Sequence, residues 1–134
     1  GEGPDFSFLK DEFKRRKLKV DMVGAVANKD ISDLFQKADV FVNPSREEEF
    51  GRVMIEAMAA GLPIVATKTL GAKAILSKKQ SAFTFDYENP REGGNLISKI
   101  LSSTKLRKEL KEEGLSRVQV FDKDRIVEGF KKLF

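Results

Sequence analysis

The sequence predicts an α/β fold, a parallel sheet with helices on both faces, and three observations lead there. Short apolar runs alternate with longer amphipathic ones along the chain's 134 residues. The short runs are continuously apolar, as strands buried on both faces are. The longer runs place their apolar residues at three- and four-residue spacing, the period of a helix with one buried face. Strands and helices that take turns in this way form parallel sheets covered on both sides.

The elements follow in order. Phe6, Leu9 and Phe13, with Asp, Glu, Lys and Arg between them, predict an amphipathic helix over residues 5–17. KVDMVGAV, Lys19 to Val26, reads as a short strand ending at Gly24. Asn28 or Asp30 can cap a helix carrying Ile31, Leu34 and Phe35. Val40 to Val42 is a β-branched and aromatic strand stopped by Asn43-Pro44. Phe50 to Gly61 has the length and the Met, Ala and Glu content of a helix, apolar on most faces, with Gly61 to end it. LPIVAT, ending at Thr67, and AFTFD, from Ala82, are two further strands. From Asn95, residues Leu96, Ile97, Ile100 and Leu101 share a helical face. Thr104–Glu113 and Asp122–Phe134 read as two more helices, the last with Ile126, Val127, Phe130 and Phe134 as core-facing residues. The expected architecture is Rossmann-like, three layers α/β/α, and such sheets bind ligands beyond the carboxyl ends of their strands. The loops after Val23, Val42 and Ala66 are therefore the places to look. About four strands are expected, fewer than the six of a complete dinucleotide-binding sheet. The opening GEGP reads as a loop that should follow a strand.

Composition narrows the chemistry. With 40% hydrophobic residues and 11 Phe the chain can build a core, and with 34% charged residues its surface is well solvated. A net charge of +4 favours anionic partners without requiring one. There is no Cys, hence no disulfide and no thiolate. There is no His either, so the commonest general base and metal ligand are both missing. Chemistry must come from carboxylates, Lys, Arg, backbone amides or groups on another segment. No apolar run approaches the ~20 residues of a transmembrane helix. GEGPDFSF lacks the charged and apolar regions of a signal peptide, so a cytoplasmic location is expected.

The informative stretch is PSREEEFGRVMIEAMAAGLPIVAT, Pro44 to Thr67: strand end, acidic loop, glycine, helix, glycine, strand. Gly51 permits close backbone approach at the helix start, where the first amides point outward unpaired. Those amides and the helix dipole make an anion site that could hold a diphosphate without a dedicated side chain. Glu48 precedes this end, and Glu56 lies in the second turn, ~7.5 Å beyond Gly51 at ~1.5 Å per residue. Carboxylates accept well from vicinal hydroxyls, which a sugar and a ribose both present on either side of a diphosphate. Blander readings stand beside this one. Glu47, Glu48 and Glu49 can be a solvated loop that suits a helix N-terminus electrostatically. Glu56 can pair with Arg52 one turn earlier, an interaction of only ~0.3–0.5 kcal/mol. Val53, Met54, Ile55, Ala57 and Met58 surround Glu56, and a charge beside that much buried surface calls for a partner.

Glu48-x7-Glu56, within PS-x-x-E-x-FG-x-V-x-x-EAMA-x-G-x-P-x-VAT, closely resembles the signature of family 4 glycosyltransferases, retaining enzymes of GT-B fold. GEGP, V-x-M-x-G-x-V, ADVFVNPS, T-L-G and the final F-x-x-x-x-I segment fall where that family has similar elements, so the resemblance covers nearly the whole chain. The resemblance implies transfer of a sugar from a nucleoside diphosphate sugar to an acceptor hydroxyl with retention of configuration. No metal and no cofactor are expected; the nucleotide sugar is substrate. Glu48 would take the catalytic position and accept hydrogen bonds from the donor sugar. Amides around Phe50, Gly51, Arg52 and Val53 would hold sugar and phosphate oxygens. Glu56 would hold the ribose, and Gly24, Ala25 and Val26, with Asn28 nearby, would line the base pocket. Thr67 to Gly71 would form another loop at the cleft.

The resemblance also implies parts that precede residue 1: a strand and helix carrying an Arg and a Lys that grip the diphosphate, and an N-terminal domain that binds a saccharide or lipid-linked acceptor and closes the cleft. Residues 1–134 are thus expected to be an incomplete C-terminal donor-binding domain, inactive alone because nothing excludes water or positions an acceptor. The chain departs from the family pattern at Glu49, Arg52, Leu70 and Ala74, and Ser81 or Ala82 stands where a Gly is frequent. Glu49, Leu70 and Ala74 also fit a non-catalytic binding or interaction module of the same fold. The basic run Lys14-Arg15-Arg16-Lys17-Lys19 has no interleaved aromatic residues and reads as a solvated helix face rather than a nucleic-acid contact. Attraction to anionic lipid at the inner face of the membrane is the one other expectation it raises.

Overall fold

The computed structural model describes residues 1–121. The expected helix from Asp122 to Phe134, with Ile126, Val127, Phe130 and Phe134, lies outside the described residues. The chain divides into two compact units, residues 1–34 and 35–134.

The first unit holds helix α1, Phe6–Arg15, and most of α2, Asn28–Gln36. α1 stops short of residue 17 for a local reason. Lys17 takes a left-handed φ of 55°, its amide reaches the Lys14 carbonyl at 3.1 Å, and the Leu18 amide reaches Phe13 at 2.9 Å. These two bonds close the helix end in the paired pattern usually built on glycine. Glu12 accepts from both Arg15 and Arg16, at 2.9 Å each. Asn28 is the first residue of α2 rather than its cap. The expected strand Lys19–Val26 is not present: these residues are irregular. Their apolar run has the composition of a strand, but a strand exists only where a neighbour completes its hydrogen-bond ladder, and no such pairing forms among the described residues.

The second unit carries the sheet. Strands β1, Phe41–Asn43, β2, Ile64–Thr67, and β3, Thr84–Phe85, pair in parallel in the order β1-β2-β3. Phe41 lies opposite Ile64, Asn43 opposite Ala66, and Thr67 opposite Phe85. Among the described residues three strands thus stand where about four were expected. The helices are α3, Arg52–Ala59, a short α4, Leu70–Ile75, α5, Pro90–Leu101, and α6, Thr104–Val118, with a 3-10 turn at Gln80–Phe83. α5 starts earlier than the apolar spacing from Asn95 indicates, because Asn89 caps it and Pro90 fits its first turn. α4 replaces part of the loop expected at Thr67–Gly71.

β2 explains the layering. Its four residues are all buried, and successive side chains point to opposite faces. Ile64 and Ala66 join Met54, Ala57, Met58, Ala72 and Ile75 on one side. Val65 joins Phe83, Phe85, Ile100 and Leu110 on the other. The sheet is therefore covered on both faces, as the continuous apolar character of its strands requires, and the architecture is Rossmann-like α/β. Gly61, at φ 83°, ends α3: its amide bonds Met58 at 2.9 Å and the Leu62 amide bonds Ala57 at 3.0 Å. No helix among the described residues is long and apolar enough to cross a membrane.

Candidate functional site

The segment from Asn43 to Arg52 leaves the carboxyl end of β1 and turns into α3, and the neighbouring strand fixes its course. The Thr67 hydroxyl, at the end of β2, donates to the main-chain carbonyls of Ser45 and, at 3.3 Å, Asn43. The Ser45 hydroxyl donates to Asn43 Oδ1 at 2.7 Å. Asn43 and Thr67 are both buried, so these bonds satisfy polar groups that water cannot reach. Sequence reading did not single out this trio; a polar residue at the end of each of two paired strands was its signal.

Glu48 is half-buried, and its carboxylate Oε1 accepts from the Gly51 amide at 3.0 Å. This corrects one expectation. The Gly51 amide does not point outward unpaired; the acidic loop closes on itself and uses it. Arg52 and Val53 begin the helix, and Met54 N already bonds the Gly51 carbonyl at 2.9 Å. Gly51 has φ 58°, a left-handed value. A Cβ there would lie 2.3 Å from Met54 Cε and 2.8 Å from Ile75 Cδ1. The close approach that Gly51 allows is thus that of the core beneath it.

Phe50 is 66% exposed beside this turn. Glu56 pairs with Arg52, Oε1 to Nε 3.2 Å, and both side chains stay substantially solvated. The partner that Glu56 was expected to need is, in part, this arginine. Glu48, Phe50, Gly51, Arg52, Val53 and Glu56 belong to the second unit, gathered on the loop before α3 and its first turns. Gly24, Ala25 and Val26 belong to the first, where Gly24 is buried with φ 70°.

α4 supplies the other wall. Thr69 caps it by accepting from the Ala72 amide at 3.2 Å. At its far end the Arg117 guanidinium donates to the carbonyls of Ile75 at 2.8 Å and Ala74 at 3.0 Å. Leu70 is 75% exposed. An open, mainly apolar cavity of about 330 Å³ lies at the carboxyl ends of the strands, lined by Val42, Pro44, Thr67, Phe85, Tyr87 and Ile97. Arg46 stands over the Tyr87 ring, 5.8 Å from its centre. Among the described residues no group of three or more carboxylates is placed to hold a metal ion.

A half-buried carboxylate bonded into the turn before a helix, a second one turn inside that helix, and helix-start amides between them form an arrangement suited to a polyhydroxylated anion. Known proteins resemble this chain in sequence. Over its full length the chain is 25% identical to an uncharacterized glycosyltransferase of Methanocaldococcus jannaschii, of which it covers 38%. It is 36% identical over 97 residues, 71% of the chain, to spore coat protein SA of Bacillus subtilis, covering 26% of that protein. It is 31% identical over 113 residues, 77% of the chain, to sucrose-phosphate synthase of Spinacia oleracea, covering 11% of it. The chain thus spans well under half the length of each of these relatives. Residues 1–117 match the family described as glycosyl transferases group 1, and this chain belongs to that family.

Proposed function

We propose that the chain is the donor-binding part of a retaining family 4 glycosyltransferase, and that the whole protein moves a sugar from a nucleoside diphosphate sugar to an acceptor hydroxyl. The observation that carries this reading is the placement of Glu48 and Glu56 around the start of α3. Glu48, tied to Gly51 N at 3.0 Å through one oxygen, has a second oxygen for a sugar hydroxyl. The start of α3, with the Val53 amide, receives phosphate oxygens. Glu56 exchanges part of its contact with Arg52 for the ribose, and Arg52 stays near enough to offset phosphate charge. The reaction exchanges the bond from the anomeric carbon to the diphosphate for one to the acceptor oxygen, and calls on no metal. The acceptor, a saccharide or lipid-linked sugar, is held by an N-terminal domain of the same protein, at or near the inner face of the membrane.

Two features support the reading beyond the family match. Glycine suits position 51, where φ is 58° and a Cβ would meet buried Met54 and Ile75, and this turn carries the amide that holds Glu48. And Glu48 is half-buried in a chain without His or Cys, where carboxylates are among the few groups able to do polar chemistry. A second reading, a non-catalytic binding module, draws on the Arg52–Glu56 pair, which gives Glu56 a role without any ligand.

Titrating the full-length gene product with UDP-, GDP- and ADP-sugars, followed by an acceptor screen, separates them. The expected result is saturable binding of one donor class and turnover with the new bond on the original anomeric face. Binding without turnover favours the second reading, and no binding of any nucleotide sugar overturns both.

A further inference from the structure

We infer that Gly71, on α4, is the positioning residue for Glu48, acting through the main chain. The inference rests on the donor-binding reading and adds to it a group remote in sequence. The Gly71 amide, an orphan donor in the first turn of α4, bonds the main-chain carbonyl of Glu48 at 2.7 Å. The Glu48 carboxylate is held separately by the Gly51 amide at 3.0 Å. Glu48 is thereby pinned at both ends of the residue, its backbone by α4 and its side chain by the turn before α3.

There is no room for anything but hydrogen at residue 71. A Cβ there would lie 2.8 Å from the Glu48 carbonyl oxygen, 3.0 Å from Glu48 Cγ and 3.1 Å from Gly51 N. Two of these three are backbone atoms, which cannot swing aside as the end of a flexible side chain can. All three belong to the unit that fixes the carboxylate. A side chain at 71 therefore displaces Glu48 itself before anything else.

The anchor does not give way instead, because α4 is held from both directions. Thr69 caps its start, and Arg117, 42 residues on, bonds the carbonyls of Ala74 and Ile75 at its end. Gly71 and Ala72 are buried against the same core that presses on Gly51. The sugar-facing carboxylate is thus set by a contact between the loop after β1 and the helix after β2, adjacent parallel strands with Asn43 opposite Ala66.

The test compares Gly71→Ala with wild type in the full-length protein. The affinity of the preferred UDP-, GDP- or ADP-sugar is measured against that of the matching free nucleoside diphosphate, with thermal melting to confirm folding. Gly71→Ala is expected to weaken the nucleotide sugar by about tenfold or more, as small misplacements of a positioned group do, while the free nucleotide stays within about threefold. In a Glu48→Ala background the same change is expected to leave the sugar-to-nucleotide ratio where Glu48→Ala puts it, since neighbours acting as one unit are not additive. If Gly71→Ala does not fold, Thr69→Val, which loosens the start of α4 without adding volume there, is expected to shift the ratio the same way by a smaller factor. An unchanged ratio in the folded variants, with wild type binding normally, overturns this inference and leaves the donor-binding reading standing. A wild-type protein that binds no nucleotide sugar overturns both.

Discussion

Two carboxylates eight positions apart meet different fates. Glu48 is held by an amide in the turn, so its orientation is set before any ligand arrives. Glu48→Gln keeps the volume and an acceptor for Gly51 but loses the charge. Hydrogen bonds to charged groups contribute ~1.5–3 kcal/mol, so kcat/KM for transfer should fall about ten- to hundredfold while the melting temperature holds. Full activity in this variant would remove Glu48 from the donor site. Glu56 sits in a solvated pair with Arg52, and such pairs contribute ~0–1 kcal/mol. Glu56→Gln should therefore change stability by less than ~1 kcal/mol, which denaturant titration can resolve. Its predicted effect is on nucleotide affinity, weakened about tenfold for the loss of a charged acceptor; unchanged affinity would leave the ion pair as its whole role.

At the scale of elements, α3 is defined by a glycine at each end, and the two differ in kind. Gly61 closes the helix with φ 83°, and a Cβ there meets mainly the flexible Lys111 side chain. Gly51 opens it with φ 58° over the buried Met54 and Ile75. Gly61→Ala should cost only the left-handed strain, ~1–2 kcal/mol. Gly51→Ala adds core overpacking of ~1–3 kcal/mol, so its urea midpoint should lie clearly below that of Gly61→Ala. Equal midpoints would mean that the core beneath Gly51 yields. On the side of α6, Glu109 bonds Lys79 at 2.9 Å, which holds the Glu109 carboxyl below its ordinary value of 4.5 and the Lys79 ammonium above 10.5. A lowered carboxyl contributes stability above pH 4.5 that is lost as pH falls through the folded value. A raised ammonium contributes below pH 10.5 and loses its contribution as pH rises past the folded value. Glu109→Gln should therefore flatten the acid limb of the stability–pH curve below 4.5, and added salt should mimic part of that effect. An unaltered acid limb would show that the pair is solvated away.

At the scale of the molecule, two compact units of unequal size and a chain far shorter than its relatives bear on activity. On the proposed reading, in which a further domain supplies water exclusion and the acceptor, the isolated 134-residue chain is predicted to show no sugar transfer and to bind donor more weakly than the full-length protein. Transfer by the isolated chain at the full-length rate would contradict this. The motif Pro44–Thr67 was legible because strand, turn, helix and strand are each local: a β-branched run, a glycine, a Met- and Ala-rich stretch, another glycine. Lys19–Val26 misled for the opposite reason, because strand composition is local but strand pairing is not.

The sequence by itself determined the class of fold, the three strands of the sheet, the glycines that bracket α3 and the candidate carboxylates, all of which depend on neighbours a few residues away or on a family pattern. The tertiary structure decided which groups those residues touch. Arg52 paired with Glu56, Thr67 fastened the Asn43–Ser45 loop, and Gly71 came to rest on the Glu48 carbonyl. The last two contacts join adjacent parallel strands and the loops that follow them. Their partners lie more than twenty residues apart, so no periodicity or turn signal along the chain records them; only the register of the sheet brings them together.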